Sequence, residues 1–179
     1  MDELFIPTEL STSISIESRN INNKLDDIIT NKLKNSMEGK CVKNGYIRPN
    51  SVKILKRSMG SVLSSQFNGA VLYNIVYVAE LCNPLEGALV EAQVLNINKM
   101  GVLAGIPNEE TSPLNILIAK QHHIDNVTFE NLKEGDIIQV KVIGKRYEFG
   151  DSQISIIGVL HENEVQDELS IGSDNIEIE

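Results

Sequence analysis

The sequence of 179 residues contains no tryptophan, and phenylalanine and tyrosine together make up only 4% of it. No apolar run approaches the roughly 20 residues that a helix needs to cross a bilayer, so we expect no membrane span. The acidic start over residues 1–5 leads into no long apolar segment and does not have the pattern of a signal peptide. With 41% hydrophobic residues, the chain still has enough apolar material for one ordinary domain or two small ones.

Cysteine is also scarce, and Cys41 and Cys82 lie far apart at no spacing typical of metal ligands. We expect two buried, reduced thiols rather than a disulfide, and therefore an intracellular protein. Motifs of phosphate-binding loops, serine hydrolases and zinc proteases are missing from the sequence. His122 and His123, with Asp125 nearby, lack the further donors that a metal site needs. We therefore predict a protein without catalytic residues, metal or cofactor.

The chain has a net charge of −9, and its charges are unevenly distributed. One segment lacks acidic residues, and another lacks Lys and Arg. Residues 40–79 contain no Asp or Glu, whereas residues 161–179 contain seven acids and no Lys or Arg. We predict that the basic segment docks on an acidic or phosphate-bearing partner, with a solvated strand face as the alternative. The acidic segment has too few core residues to offset its ordering entropy, and we expect disorder there. The predicted docking residues are Lys40, Lys43, Arg48, Lys53, Lys56 and Arg57.

The N-terminal half has the pattern of one helix and a small antiparallel sheet. Apolar residues at helical spacing over residues 20–37 predict the only long helix, with Ser18 or Asn20 as its cap and Gly39 just beyond its end. The last strand is apolar on both faces, which is typical of a central strand that is covered on each side. Alternation in the third strand places Lys53, Leu55 and Arg57 on one face. The predicted strands span residues 8–16, 40–48, 52–58 and 70–81, with a connection over 58–69.

The chain after Asn83-Pro84 contains five short apolar runs separated by glycine-marked turns. Five such strands are expected of an OB-fold β-barrel. The fold class is therefore predicted as α+β, with a helix-on-sheet unit over residues 1–82, an OB-fold barrel over 83–160 and an acidic tail over 161–179. The predicted barrel strands span residues 88–97, 102–105, 114–119, 138–142 and 154–156.

Several short stretches occur in order along the chain: EGKC and NGYI at 38–47, FNG at 67–69, NPLEG at 83–87, NKMGV at 98–102 and KEGD at 133–136. Together they resemble the stalk subunit of multisubunit DNA-directed RNA polymerases, which is the seventh-subunit family of eukaryotic polymerase II together with its archaeal counterpart. The resemblance covers residues 8–160. It implies a non-catalytic subunit whose N-terminal unit, the tip, docks on the polymerase core near the clamp. It implies core subunits and a small helical stalk subunit as partners. It also implies that the barrel lies near the RNA exit, where it contacts nascent RNA or transcription factors.

The predicted barrel has few groups suited to RNA. Leu103 occupies a position where an aromatic is common in barrels of this type, and residues 80–160 carry eleven acids against six bases. Contact with nascent single-stranded RNA is therefore expected to be weak and salt-sensitive, and solvated surface groups are an equal alternative. The candidate RNA-binding residues are Lys99, Lys120, His122, His123, Lys141, Lys145, Arg146 and Tyr147.

Two questions stay open at the level of sequence. The richness in Ile and Asn suggests an AT-rich genome and resembles versions encoded by large cytoplasmic DNA viruses, which would place the protein in the virion and the host cytoplasm. A cellular eukaryotic version would act in the nucleus. The alternative function is a free-standing single-stranded RNA-binding OB-fold protein, against which the acidic barrel argues.

Overall fold

A computed structural model describes residues 4–62, 69–107, 111–123 and 126–161. Four sequence-based predictions therefore lie outside the described residues. These are the FNG stretch at its first two positions, half of the 58–69 connection, Asp125, and disorder of the tail beyond His161.

The first sheet has six strands, all antiparallel, and its longest inner strand is β6 (Val71–Cys82). β1 (Phe5–Ile16) pairs with one side of β6 over its whole length. The prediction of a single strand over residues 40–48 is wrong, because the chain turns back at Lys43-Asn44 and forms a hairpin. The other side of β6 pairs with β3 (Gly45–Ile47), β4 (Lys53–Arg57) and β5 (Ser61–Val62), and β2 (Cys41–Val42) pairs with β3.

The helix α1 (Leu25–Met37) packs on one face of this sheet and buries Ile29 and Leu33 completely. It starts later than predicted, because residues 18–20 form a 3-10 turn and the Asn22 side chain accepts a hydrogen bond from the Lys24 N–H. Neither predicted capping residue caps the helix, whose cap position is Lys24. Gly39 adopts the left-handed conformation beyond the helix end, with φ +68, as predicted.

The opposite face of the first sheet is open in the described residues. On the helix side, Tyr73 and Ile75 of β6 are buried, whereas Val76 and Val78 on the other side are only half-buried. The central position of β6 is confirmed, but its predicted cover on both faces is wrong, since the described part of the unit contains one α-helix and that helix covers one face.

The second sheet closes into a five-stranded barrel in the order β10-β11-β9-β8-β7, and β7 pairs with β10. Only β9 and β11 run parallel, and the short helix α2 (Val127–Glu130) precedes β10 and buries Phe129. This topology confirms the α+β class and the OB-fold barrel. The strands are β7 (Leu89–Asn98), β8 (Gly101–Gly105), β9 (Leu114–Ala119), β10 (Ile137–Arg146) and β11 (Ile154–Leu160).

The two sheets meet through a shared core at the β2–β3 hairpin. Cys41, Tyr46 and Cys82 belong to the same hydrophobic cluster as the barrel interior. The Cys41 N–H donates to the carbonyl of Asp151 at 2.7 Å, and its carbonyl accepts from the Gly150 N–H at 2.8 Å. The hairpin is thus hydrogen-bonded to the turn between β10 and β11, although the exact domain limits stay a prediction.

Both cysteines are buried free thiols, as predicted, and Cys41 makes stability depend on pH. Burial, and secondarily the charge of Asp151, raises the pKa of Cys41 from 9.0 to about 11. Because the folded protein holds this proton more tightly than the unfolded chain, stability is unaffected below the unfolded pKa and falls as pH rises from it to the folded value. We expect the free energy of unfolding to fall by up to about 2–3 kcal/mol across this window from this thiol alone.

Urea unfolding at a series of pH values checks this prediction, with Cys41→Ala as the control. Burial also raises the pKa of Tyr77 and of Tyr147, so part of the alkaline loss persists in the variant. The difference between the two proteins reports the thiol together with the part of the Tyr147 shift that the charge of Cys41 causes. Identical pH dependence of the two would show that Cys41 is not the cause.

Candidate docking and nucleic-acid interfaces

Two of the six predicted docking residues have partners within the N-terminal unit. The guanidinium of Arg48 pairs with Glu80 at 3.0 Å and lies 4.8 Å from the ring centroid of Phe5. The ammonium of Lys40 donates to the carbonyl of Asn35 at 3.1 Å. The contacts of Arg48 join the end of β3 to β6 and β1, whereas the contact of Lys40 joins the connection that follows α1 to the last turn of that helix. Both residues therefore contribute to the fold of the unit.

Arg57 also has internal partners, because a bulge in β4 turns it away from its expected face. The register of β4 on β6 shifts between Ile54 and Lys56. Arg57 therefore faces the helix side, where it pairs with Asp26 of α1 at 2.8 Å and lies 5.6 Å from the ring centroid of Tyr73. The prediction that Arg57 shares a face with Lys53 is wrong for this reason.

The same bulge places Lys53 and Lys56 on the open face of the sheet. They pair with Val78 and Val76 of β6, and both lysine side chains are exposed. Neither lysine side chain makes a hydrogen bond or ion pair with another described residue. Lys43 is likewise exposed, at the turn between β2 and β3. Three of the six predicted cations are thus available to a partner.

Exposed apolar side chains accompany Lys53 and Lys56 in the chain between residues 53 and 62. Leu55 is 52% exposed, Met59 is 99% exposed and Val62 is 71% exposed. Large apolar residues grouped in this way on a surface mark contact sites. Sequence reasoning missed them, because periodicity assigns apolar residues to the core. Val62 pairs with Val71, which packs on the helix-side core, so it faces away from the two lysines. We call Lys53, Leu55, Lys56 and Met59 the β4–β5 surface.

On the barrel, three RNA candidates lie at the end remote from the N-terminal unit. The Lys120 N–H donates to the carbonyl of Met100 at 3.0 Å, which holds the 3-10 turn after β9 beside the β7–β8 turn. Lys99, Lys120 and His122 are exposed there. Lys141 is exposed further along the barrel, on β10.

His123 serves the barrel structure. Its ring is buried and stacks on Phe129 with centroids 4.6 Å apart. Nε2 accepts from the Leu160 N–H at 2.9 Å, so Nδ1 carries the proton and donates to the carbonyl of Ala119 at 3.1 Å. With both nitrogens occupied inside the protein, His123 has no free polar atom for RNA.

Lys145 and Tyr147 lie at the junction between the two sheets. The Lys145 ammonium donates to Asn83 Oδ1 at 2.5 Å and to the carbonyl of Pro84 at 2.9 Å. The Tyr147 hydroxyl donates to the carbonyl of Lys43 at 3.2 Å. Both side chains therefore connect the barrel to the N-terminal unit. Their choice as RNA contacts came from residue type, whereas their partners lie 61 to 104 positions away in sequence and leave no local signal.

Arg146 is the last of the RNA candidates. It is exposed and pairs with Glu148 at 3.4 Å. An exposed pair of this kind contributes little to stability and exchanges readily with solvent or a ligand. The exposed candidates on the barrel are therefore Lys99, Lys120, His122, Lys141 and Arg146.

The outward face of the barrel carries aliphatic side chains where stacking residues would be needed. Leu103 of β8 lies opposite Leu117 of β9, which in turn lies beside Ile157 of β11. No aromatic residue occurs in these three strands. These three strands therefore offer no aromatic ring on which a nucleic-acid base could stack.

Two further features of the described residues are relevant to function. Within them, no group of three His, Cys, Asp or Glu side chains is arranged to hold a metal ion. None of their helices combines the length and apolar character needed to cross a membrane.

The fold and its surfaces define an α+β protein in which an OB-fold barrel is joined to a helix-on-sheet unit with an exposed basic and apolar surface. No family model matches the chain. It is 28% identical over 160 residues to DNA-directed RNA polymerase II subunit rpb7 of Schizosaccharomyces pombe, with 79% of this chain and 87% of that protein covered. It is 22% identical over 176 residues to DNA-directed RNA polymerase II subunit RPB7 of Glycine max, with 89% and 94% covered.

A viral protein is similar over a comparable length. A protein of Acanthamoeba polyphaga mimivirus, named "Putative DNA-directed RNA polymerase subunit", is 20% identical over 173 residues, with 93% of this chain and 86% of that protein covered. These relatives confirm the resemblance to the seventh-subunit family. The chain is similar over most of its length to DNA-directed RNA polymerase subunits.

Proposed function

We propose that the protein is a non-catalytic stalk subunit of a DNA-directed RNA polymerase, which docks on the core through its N-terminal unit. The observation that carries the proposal is the β4–β5 surface. It presents Lys53 and Lys56 without described partners, near the exposed Leu55 and Met59. Apolar anchors supply most of the energy of protein interfaces, and charges at their rim steer and select the partner.

The position of this surface suits a stalk. β5 pairs with β6 at Val71 and Leu72, whereas the opposite end of β6, Cys82, lies in the core shared with the barrel. Lys53 and Lys56 pair with Val78 and Val76, four and six residues before Cys82, so they lie roughly 13–20 Å along the strand from that core. Docking through the β4–β5 surface would therefore hold the barrel away from the contact, as a projecting unit.

Affinity purification of the tagged full chain from its native source tests the proposal. Recovery of the large polymerase subunits in stoichiometric amounts is expected. The same experiment shows whether a small helical subunit accompanies the chain. Recovery of RNA or ribosomal material without polymerase would overturn the proposal and favour a free-standing single-stranded RNA-binding protein.

The compartment follows from the polymerase that the protein serves. The mimivirus relative supports action in the virion and the host cytoplasm, whereas the fungal and plant relatives support action in a nucleus. We propose intracellular action in either case, because transcription takes place inside cells.

We further propose that the barrel makes weak phosphate contacts with nascent RNA through its exposed cations. Lys120 and Lys141 are exposed on a barrel that lacks outward aromatics on β8, β9 and β11. Lys120→Ala with Lys141→Ala is expected to reduce the slope of log affinity against log salt by about 1.4 on single-stranded RNA, about 0.7 for each phosphate that the protein no longer neutralises. Fluorescence anisotropy across a salt series measures this slope.

Lys133→Ala provides the control for the RNA measurement, because Lys133 lies in the turn before β10 and is not assigned to RNA. Its slope should match that of the unmodified chain. An unchanged slope and affinity in the double variant would show that RNA does not use these two lysines.

A further inference from the structure

A row of aliphatic side chains crosses the outward face of the barrel. In register, Leu103 lies opposite Leu117 and Leu117 lies beside Ile157, while Val159 follows on β11 two residues later. Ile157 is 49% exposed, and the other three are half-buried. A closed barrel has no strand edge to offer, so an occupant of this row must pack on it face to face.

Basic groups border this aliphatic row. Two of them lie on β10, where Lys141 pairs with Val159 of β11 and Arg146 pairs with Ser155 of β11. Lys120 directly follows β9, whose last residue Ala119 lies beyond Leu117 on the same outward side. The face therefore has an aliphatic centre with cations at its margins. A ligand that combines aliphatic groups with negative charge matches it.

The described chain ends beside this face. The His161 N–H donates to the carbonyl of Gln139 on β10 at 2.8 Å, and the Leu160 N–H donates to Nε2 of His123. The chain thus leaves the barrel next to Val159 and Lys141. Neighbouring strands are about 4.8 Å apart, so Leu103, two strands from β11, lies roughly 10–15 Å from this exit.

The remaining chain has the composition that the face requires. Residues 162–179 contain seven acids, no Lys or Arg, and the aliphatic residues Val165, Leu169, Ile171, Ile176 and Ile178. At random-coil dimensions, 18 residues span roughly 20–25 Å, which exceeds the distance to the row. Its attachment gives it an effective concentration on the order of millimolar, so even weak contacts are populated.

We propose that residues 162–179 fold back onto this outward face, with aliphatic side chains on Leu103, Leu117, Ile157 and Val159 and carboxylates near Lys120 and Lys141. The segment is then an intramolecular competitor for the barrel surface. If the barrel binds RNA as proposed above, RNA must displace it, and this consequence alone rests on that proposed function. The contact itself is tested without RNA or polymerase.

Paramagnetic relaxation in the full chain provides the test. A spin label is attached at Ser173→Cys, and both native thiols are fully buried and escape labelling. We expect the amide signals of Leu103, Leu117 and Ile157 to lose most of their intensity relative to a spectrum recorded after the label has been reduced. Signals from α1 in the N-terminal unit should keep theirs. Intensities that are unchanged at the row, or lowered equally in α1, would overturn the proposal.

A matched pair of variants checks that the row itself is the contact. Ile157→Asp should restore the signals of Leu103 and Leu117, whereas Leu55→Asp, at a similarly exposed position of the N-terminal unit, should leave the loss unchanged. Equal loss in both variants would contradict the assignment. Intramolecular and intermolecular contact are distinguished by mixing two chains. One carries the isotope label without the spin label, and the other carries the spin label without the isotope label. Broadening in that mixture would assign the face to a second copy and overturn the fold-back.

Discussion

Charge reversal at Lys53 and Lys56 is expected to abolish co-purification of the polymerase core and to leave the fold intact. The two ammonium groups lie side by side on the open face of the first sheet, and neither has a partner among the described residues. Reversal replaces two attractive contacts with two repulsive ones. Like charges placed against each other in an interface cost several kcal/mol, so the affinity should fall on the order of 100-fold or more.

Folding should survive this change, because both side chains are exposed and make no internal hydrogen bond with the described residues. Surface substitutions of this kind alter stability by about 0.5 kcal/mol or less. Circular dichroism and urea unfolding establish this for the double variant before the purification is compared. The comparison itself uses equal amounts of tagged chain and measures the large polymerase subunits recovered.

Lys99→Glu with Lys133→Glu is the matched control for charge. It changes the net charge by the same amount on the barrel, remote from the β4–β5 surface. The control should retain the polymerase. Retention by both double variants would contradict docking through Lys53 and Lys56, and loss by both would point to net charge rather than to a particular surface.

The barrel was predictable because its strands are defined by local turns and alternation. Two strands were nevertheless predicted too short, for reasons visible in the structure. β10 was ended at Val142, where a bulge at Ile143 interrupts the alternation and the strand continues to Arg146. β11 was ended at Ile156, because its next inward residue is Gly158, which carries no apolar side chain to continue the pattern.

The N-terminal unit was less predictable, because its short strands depend on β6. β2 and β5 contain two residues each, too few to show any periodicity. They form strands only because β3 and β6 present backbone partners. Length and apolar pattern identified β6 itself, whereas the number of its partners is a property of the folded unit.

The candidate sites show the same division between local and non-local information. The absence of acids from residues 40–79 correctly indicated a basic segment, but it did not distinguish Lys53 from Arg57. That distinction depends on the bulge in β4 and on Asp26, which lies in α1. The roles of Lys145 and His123 depend on contacts with Asn83 and Leu160 in the same way. Residue type alone indicates which side chains could form a site. Only the contacts between distant parts of the chain show which of these cations already have partners inside the protein.

Gly101→Ala is expected to destabilise the barrel severely. Gly101 begins β8 directly after the turn from β7 and has φ +151, a conformation that side chains disfavour. A Cβ there would lie 2.1 Å from the carbonyl oxygen of Ile118 and 3.0 Å from Cα of Ala119. Both are backbone atoms of β9, with which Gly101 pairs, so relief requires opening the β8–β9 ladder. Strain and overpacking together should cost roughly 2–6 kcal/mol.

Gly135→Ala separates the two contributions to this loss. Gly135 also has a positive φ, +95, but no atom lies within 4 Å of the position that a Cβ would occupy, so its alanine variant suffers backbone strain without a clash. Urea unfolding should therefore show a loss of about 1–3 kcal/mol for Gly135→Ala and a larger loss for Gly101→Ala. Since small domains are stable by only about 5–15 kcal/mol, the latter variant should be partly unfolded at physiological temperature. Equal losses would mean that β9 moves aside at little cost, and the close approach of β8 to β9 would then not be what requires glycine at this position.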